Sequence, residues 1–193
     1  MSENIKTGRA SFRRWRGVIL VLCTITSLFP QIFRAYLLDV FSGFPGRIGV
    51  GIRYILIRTL VKKCGENVYI GRWCVFKNPQ NLSLGSNISF HERAYVDAAG
   101  NISVGSDVSF AHSVSIISFE HRYEFCGQPF KYQSLDLKNV CIASNVWVGC
   151  GVRILAGSVI DSDVVVAANS VTKKHLTAGV YAGAPAMKVK ELP

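Results

Sequence analysis

The sequence has few acidic residues at its N-terminal end and no closely spaced cysteine pair. Residues 1–63 contain 11 Lys or Arg but only two Asp or Glu. Residues 64–193 contain 11 Lys or Arg and 10 Asp or Glu. None of the six cysteines forms a C-x-x-C pair, which argues against a disulfide framework and favours a reducing cytosol. Because the body is nearly neutral, it lacks the basic surface typical of nucleic-acid-binding proteins, and no nucleic-acid partner is expected.

A long uninterrupted apolar run is also missing. Gly17 to Phe33 is uncharged, but Pro30 divides it, and it is shorter than the ~20 residues that a transmembrane helix needs. Basic residues on both flanks favour the cytoplasmic side. We therefore expect residues 1–63 to form a helical segment on anionic headgroups, with the protein cytoplasmic and peripheral on the inner face of the cytoplasmic membrane. The alternatives are a helical arm packed on the body or on a neighbouring subunit, and a single transmembrane span.

The stretch that follows predicts a short basic helix leading into the body. It runs from Ile48 to Gly65 and is loosely amphipathic. Lys62 and Lys63 would lie in its last turn, where cations interact favourably with the helix dipole.

The body shows neither the period of 3.6 of a helix nor the period of two of an ordinary strand. It repeats every six residues, as in LGSNIS–FHERAY at 84–95 and VGSDVS–FAHSVS at 104–115. The first hexad position is aliphatic or Phe, the fourth is often Asn or Asp, and the fifth is small or β-branched. This pattern predicts a coil with three flat sides, in which the first and fifth positions point inward. Asn and Gly would serve the corners, where positive φ is common.

Over residues 64–190 the chain resembles the hexapeptide-repeat acyltransferases, in the branch of maltose, galactoside and bacterial capsule or lipopolysaccharide sugar O-acetyltransferases. The segments that carry the resemblance are SNVWVG, VVVAANSVTK and YAGAPAMKVK. It implies an all-β body at 64–193, a left-handed parallel β-helix of about five coils with a loop at 122–141 and a tail at 178–193. It also implies a homotrimer with active sites between subunits, acetyl-CoA as donor substrate, no metal, and a sugar hydroxyl of a surface polysaccharide or its lipid-linked precursor as acceptor.

One irregular stretch, Ser115 to Leu137, interrupts the hexads with charged and aromatic residues. A sugar hydroxyl is barely ionised at neutral pH, so its attack on a thioester needs a general base, and histidine has suitable basicity. The resemblance assigns this role to His121 at the root of the loop. His91, His112 and His175 match the family position less well. Glu120 and Glu124 are the candidates to orient the imidazole.

The resemblance also assigns binding roles on both sides of the reaction. Asp97 and Glu92 would contact the acceptor, and Asp97 is the better match. Independently of the resemblance, the aromatic ring of Tyr123 is a candidate to stack on the sugar, or else to pack the loop against the next subunit. For the donor, Trp147 would lie along the pantetheine arm, the backbone N–H of Cys150 would face the thioester oxygen, and Ala168 would allow close approach. Lys173, Lys174 and Lys188 would meet the phosphates of CoA. The run AANSVTKK is a residue shorter than the usual motif, which leaves open which of the first two lysines does so.

Three other functions remain to be weighed against sugar O-acetylation. N-acetylation of an amino sugar uses the same chemistry, and the sequence does not separate the two. A β-helix carbonic anhydrase needs three metal-binding histidines, two of them in one short loop, and the spacing of His112 and His121 does not supply them. A non-enzymatic trimeric scaffold is disfavoured by the combination of His121, Trp147 and the C-terminal lysines.

Overall fold

The computed structural model describes residues 8–125 and 127–192 and divides them into a helical segment and a β-helical body. The helices are α1 (Gly8–Ser27), α2 (Gln31–Val40) and α3 (Gly46–Leu60). The body has three sides, each a sheet of stacked, mostly parallel strands numbered in chain order. The prediction of an all-β body after an N-terminal helical segment is therefore confirmed at the level of secondary structure.

The first side consists of β1 (Lys63–Cys64), β4 (Leu82–Leu84), β7 (Ile102–Val104), β12 (Val140–Ile142), β15 (Val159–Ile160) and β18 (His175–Leu176). The second side consists of β2 (Tyr69–Ile70), β5 (Ile88–Phe90), β8 (Val108–Phe110), β13 (Val146–Val148), β16 (Val164–Val166), β19 (Gly179–Ala182) and β20 (Met187–Lys190). The third side consists of β3 (Val75–Lys77), β6 (Tyr95–Asp97), β9 (Ser115–Ile117), β14 (Arg153–Ile154) and β17 (Val171–Thr172). Within the described ranges the chain thus makes five complete coils and begins a sixth.

The core is a column of first-position side chains stacked from coil to coil, as the repeat predicts. On the second side, Ile70, Phe90 and Phe110 are in register and fully buried. The rings of Phe90 and Phe110 stack with centroids 4.7 Å apart, which is the spacing between neighbouring strands. Fifth-position residues such as Val108 and Val146 are buried beside them. Each coil therefore buries its apolar face only against its neighbours, as in other solenoids.

The corners of the coils use left-handed backbone at the fourth hexad position. Asn67, Asn87 and Asn145 have φ between 55° and 58° at one corner. Asparagine tolerates this conformation, which explains the Asn and Asp preference of the repeat. The same geometry is imposed on Trp73 (φ 56°) and Arg93 (φ 61°), which intrinsically disfavour it. The coil geometry therefore overrides local preference at these two corners.

Helix α3 covers the end of the body that has no preceding coil. Ile57 and Leu60 are buried in the same core cluster as Ile70 and Leu82. Side chains of α3 also donate hydrogen bonds to first-coil carbonyls, including Arg53 Nε to the oxygen of Ile70 at 2.9 Å. These contacts protect a strand edge that would otherwise be open.

The predicted position of Lys62 and Lys63 in the last turn of this helix is wrong. Helix α3 ends at Leu60, and the basic residue of its last turn is Arg58. The backbone N–H of Lys62 already donates to the oxygen of Leu82 in the second coil, and Lys63 lies in β1. Strand pairing with the next coil therefore ends the helix before the lysines.

Helices α1 and α2 pack on α3 and leave an apolar surface uncovered. Phe12 of α1 meets Tyr54 of α3 edge to face, and Leu38 of α2 is buried in the core cluster. In the part of the chain that the structure describes, no helix has the length and apolarity to cross a membrane. The segment thus has the inner contacts of a packed arm, while side chains such as Leu28 and Ile32 are more than 80% exposed.

The irregular stretch forms a β-hairpin that leaves the third coil. Its strands are β10 (Phe119–His121) and β11 (Leu135–Leu137), and they pair antiparallel. The predicted loop at 122–141 therefore begins after a strand, and its last two residues belong to β12 on the first side. Much of the predicted tail at 178–193 also lies in the second side, because β19 and β20 extend that sheet.

Candidate active site

The hairpin is anchored where it leaves the body by the buried side chain of Ser118. The Ser118 hydroxyl donates to the backbone oxygen of Asp97 at 2.9 Å and accepts from the N–H of Gly100 at 2.8 Å. A Cβ atom at Gly100 would lie 2.1 Å from the Ser118 carbonyl oxygen, so this approach requires glycine. The N–H of Lys138 closes the base of the hairpin by donating to the Ser118 carbonyl at 2.9 Å.

His121 lies at the end of β10, opposite Leu135, and its ring is exposed. The Phe119 ring meets it edge-on, with centroids 6.3 Å apart. No group among the described residues hydrogen-bonds to the imidazole, so neither ring nitrogen is engaged within this part of the chain. The ring is thus placed to meet a substrate or a neighbouring subunit.

The two glutamates expected to orient His121 do not contact it in this chain. Glu120 pairs instead with Lys173, at 2.6 Å, and with Lys138, at 3.3 Å. The hydrogen bond from Lys173 is the main cause that holds the pKa of Glu120 below its ordinary value, and Lys138 adds to it. The backbone of Glu124 hydrogen-bonds to Gln133 across the hairpin. Among the described residues, neither carboxylate hydrogen-bonds to the imidazole, and Glu120 is held by two lysines instead.

Asp97 lies beside the root of the hairpin, at the end of β6. It is 8% exposed, and its Oδ1 accepts from Asn78 Nδ2 at 2.8 Å and from the Ala99 N–H at 3.2 Å. Its Oδ2 lies 3.4 Å from the Tyr95 hydroxyl. Burial, followed by the Asp97 charge, raises the pKa of Tyr95. The carboxylate is thus rigidly held and has one oxygen with spare capacity to accept a hydrogen bond.

The corner that joins the second and third sides, called edge 2/3 here, carries a different set of predicted residues. Glu92, Cys150 and Ala168 occupy the third position of the corresponding hexads in the second, fourth and fifth coils, and His112 occupies it in the third. The Ser113 N–H donates to the Glu92 oxygen at 3.0 Å, and the Asn169 N–H donates to the Cys150 oxygen at 2.8 Å. Backbone hydrogen bonds from coil to coil therefore align these corners in one row.

Edge 2/3 presents donors and a shallow cavity to solvent. The Cys150 N–H has no acceptor among the described residues, and Ala168 is exposed. A cavity of about 310 Å³ opens farther along the row, lined by Trp73, Glu92, Arg93, His112 and Ser113. Trp147 stands nearby on the outer surface of the second side, 59% exposed. An extended ligand could lie along this row.

His121 and Asp97 lie on the other end of the third side, at the corner called edge 3/1. The structure therefore separates Glu92 from Asp97, although both were predicted to contact the acceptor. Tyr123 follows His121 in the hairpin and is 76% exposed. The structure thus places the predicted residues in two groups, one on each edge.

The predicted phosphate-binding lysines are not equally available. Lys173 is engaged by Glu120, and Lys188 pairs with Glu191 at 2.6 Å. Lys174 is exposed and has no ion-pair partner among the described residues. Lys173 and Lys174 follow β17 and so lie at edge 3/1, whereas Lys188 lies in β20 on the second side.

Two arginines that the sequence did not single out lie on edge 2/3. The guanidinium groups of Arg72 and Arg93 lie 4.8 Å and 5.6 Å from the centre of the Trp73 ring. The available signal was the tryptophan at a hexad position that ordinarily takes Asn.

In the described ranges, no group of three or more His, Cys, Asp or Glu is arranged to hold a metal ion. Among those residues five cysteines are free, and Cys126 lies outside them.

Two proteins that are similar to this chain in sequence both carry a provisional name as acetyltransferases. No protein-family model matches the chain. An Escherichia coli protein, WbbJ, whose assignment as a lipopolysaccharide-biosynthesis O-acetyltransferase is provisional, is 29% identical over 118 residues, which cover 57% of this chain and 60% of that protein. A Mycobacterium tuberculosis protein provisionally named an acetyltransferase is 26% identical over 129 residues, 63% of this chain and 43% of that protein. The chain thus matches only about half of the length of these relatives.

Solved structures match over more of the chain. A maltose O-acetyltransferase from Clostridium difficile has a TM-score of 0.75 at 23% identity, covering 82% of this chain and 84% of that one. A Vibrio cholerae hexapeptide-repeat acetyltransferase bound to acetyl-CoA gives 0.74 at 21%, covering 83% and 86%. A galactoside acetyltransferase in complex with CoA gives 0.74 at 23%, covering 83% and 80%. At these identities the match establishes the fold.

Fold and repeat together define the class of this protein. It is a hexapeptide-repeat protein with the β-helix of the left-handed β-helix acetyltransferases, and the predicted resemblance is confirmed. Two of the structural neighbours were crystallised with acetyl-CoA or CoA.

Proposed function

We propose that this protein is an acetyl-CoA-dependent O-acetyltransferase that modifies a sugar hydroxyl of a bacterial surface polysaccharide or of its lipid-linked precursor. The observation that carries the proposal is the division of the site between two edges. His121 and Asp97 lie at edge 3/1, while the exposed Ala168 and the Cys150 N–H, which has no acceptor among the described residues, lie at edge 2/3. Two copies placed edge to edge would complete one site, and three copies around an axis would make three.

In this mechanism His121 acts as the general base. The imidazole takes the proton of the acceptor hydroxyl as that oxygen attacks the thioester carbonyl of acetyl-CoA. The negative charge that develops on the carbonyl oxygen is stabilised by the Cys150 N–H of the neighbouring copy. Collapse of the tetrahedral intermediate breaks the carbon–sulfur bond, and the imidazolium returns the proton to the CoA thiolate. The products are the acetyl ester and free CoA.

The remaining residues hold the two substrates. Asp97 is rigid and has an oxygen that can accept a hydrogen bond from a second sugar hydroxyl, which fixes the reacting one. Tyr123 offers an exposed ring beside His121 for the sugar. Trp147 provides an apolar surface for the pantetheine arm, and Lys174 is the lysine of edge 3/1 that remains available for a phosphate.

The test is release of free CoA from acetyl-CoA in the presence of a panel of sugars and a membrane glycan extract. We expect acceptor-dependent release by the wild type and a loss of about 10²–10⁴-fold for His121→Ala. His175→Ala is the matched control, because His175 is exposed on the first side and pairs with Asp161 at 2.8 Å. Equal activity of wild type and His121→Ala would place the base elsewhere.

Two alternatives give different outcomes in the same experiment. N-acetylation of an amino sugar would give an amide that survives mild alkali, whereas an acetyl ester would be cleaved. A non-enzymatic scaffold would neither bind acetyl-CoA nor release CoA with any acceptor. The E. coli relative is provisionally named a lipopolysaccharide-biosynthesis O-acetyltransferase, which supports an acetyl ester as the product.

A further inference from the structure

The helical segment exposes a continuous apolar surface that nothing in the described chain covers. On α1 the exposed side chains recur at helical spacing and continue through the turn into α2. We call this surface the outer face, and its principal side chains are between 42% and 85% exposed: Trp15, Val18, Leu22, Ile25, Leu28 and Ile32. Exposed apolar patches of this kind mark interaction surfaces.

The outer face points away from the body because the helices form two layers. Helix α3 packs on the first coil, and α1 and α2 pack on α3. Phe12, Cys23 and Leu38 face inward, and Cys23 and Leu38 are buried. The helices are thus already folded against the body on one side, so the apolar stripe is not simply an unfolded arm awaiting its core.

Charges around the outer face are almost all positive. Arg13, Arg14 and Arg47 are exposed, and Asp39 is the one acidic residue between residues 8 and 60. Arg16 is also exposed, but it pairs with Glu66 of the first coil at 2.6 Å. An apolar stripe with a basic rim is complementary to an anionic lipid surface, where apolar side chains enter the acyl boundary and cations meet phosphates. Because no described helix is able to span a bilayer, the helices would lie on it.

We propose that the outer face docks this protein on an anionic membrane surface, with α1 and α2 embedded at the level of the headgroups. The coils then stack away from the lipid. His121 lies in the hairpin that leaves the third coil, so α3 and the first two coils separate its point of departure from the embedded helices. If the proposed acetyltransferase function holds, the reacting sugar lies on a glycan that extends away from its lipid anchor.

The proposal is tested by flotation of the full-length protein with vesicles, which requires no enzymatic activity. Vesicles of phosphatidylcholine alone and with phosphatidylglycerol are compared at physiological ionic strength. The variants are Leu28→Asp with Ile32→Asp, which adds charge at two exposed positions, and Arg13→Gln with Arg14→Gln. Matched controls are Val189→Asp and Lys190→Gln, because β20 lies at the opposite end of the body.

We expect the wild type to bind anionic vesicles at least tenfold more strongly than neutral ones. The Leu28/Ile32 variant should lose at least tenfold in binding, because two apolar side chains no longer enter the lipid. The arginine variant should lose severalfold, and only on anionic vesicles. Both controls should bind like the wild type.

Two outcomes would overturn the proposal. One is a wild type that does not float with anionic vesicles. The other is a Leu28/Ile32 variant that floats as well as the wild type; if its molar mass, measured by light scattering, is also lower, the outer face is a contact between copies. The proposed reaction is judged separately, because CoA release is measured on the wild type and on His121→Ala, in which the outer face is unchanged.

Discussion

Replacing the buried Arg53 by methionine should destabilise the junction between the helices and the body. Arg53 is 2% exposed, and burial lowers its pKa. Its Nε donates to the Ile70 oxygen at 2.9 Å, and its Nη1 donates to the Phe44 oxygen at 2.8 Å. Longer contacts of 3.4 Å reach the oxygens of Phe41 and Ser42.

The magnitude follows from which carbonyls lose their donor. Phe41 and Ser42 keep backbone donors, the N–H groups of Phe44 and Trp73. The oxygens of Ile70 and Phe44 have no other donor among the described residues, but only the bond to Ile70 is buried, since Phe44 is 42% exposed. An unsatisfied buried acceptor costs about 1–3 kcal/mol, so Arg53→Met should lower the free energy of unfolding by about 1–3 kcal/mol.

The assay is urea unfolding at a fixed protein concentration, since an oligomer's stability depends on concentration. Arg47→Met is the control, because Arg47 is exposed on the same helix, and its effect should stay within about 0.5 kcal/mol. A loss below about 1 kcal/mol for Arg53→Met would refute the argument that the Ile70 carbonyl depends on the guanidinium.

Three further predictions concern the core, the hairpin and the donor surface. Phe90→Ala should cost about 3–5 kcal/mol in urea unfolding, because its buried ring stacks on its neighbour in the next coil; a loss below 1 kcal/mol would contradict the stacked core. Glu120→Gln should cost less than about 1 kcal/mol near neutral pH. Because Lys173, then Lys138, holds the folded-state pKa of Glu120 below 4.5, this difference should persist above pH 4.5 and vanish as the pH falls through the lower value, and a pH-independent difference would disprove the ion pairs. Trp147→Ala should raise KM for acetyl-CoA about tenfold with little change in thermal stability, since the side chain is exposed; an unchanged KM would remove Trp147 from the donor surface.

The β-helical body could be predicted from the sequence because each position of the hexad has a fixed structural requirement. The first position points inward, the fifth must be small or β-branched, and the fourth adopts a left-handed conformation. Each requirement arises within one coil and recurs in the next. The hairpin was visible as a break in the period, but its strand pairing was not, because Phe119–His121 and Leu135–Leu137 lie too far apart along the chain for a short hairpin turn to identify them as partners. The end of α3 was missed because pairing of Lys62 with the second coil is a tertiary contact.

The site was harder to predict, since contacts across coils decide it. The resemblance assigned both Glu92 and Asp97 to the acceptor, whereas the third side separates them onto two edges. Glu120 directly precedes His121 in the sequence. Because side chains alternate along a strand, however, Glu120 points toward Lys173, two coils away. The stacking of Arg72 and Arg93 on Trp73 joins residues of two coils and has only a weak signal in either hexad.

The measurement that tests the central claim most directly is activity of mixed oligomers. His121→Ala removes the base at edge 3/1, and Ala168→Tyr fills the exposed donor position at edge 2/3. Each variant alone should be nearly inactive in CoA release. If every site uses His121 from one copy and edge 2/3 from the next, random mixing by co-expression should restore about one quarter of wild-type activity. Mixed oligomers that remain as inactive as either parent would contradict a site shared between two copies.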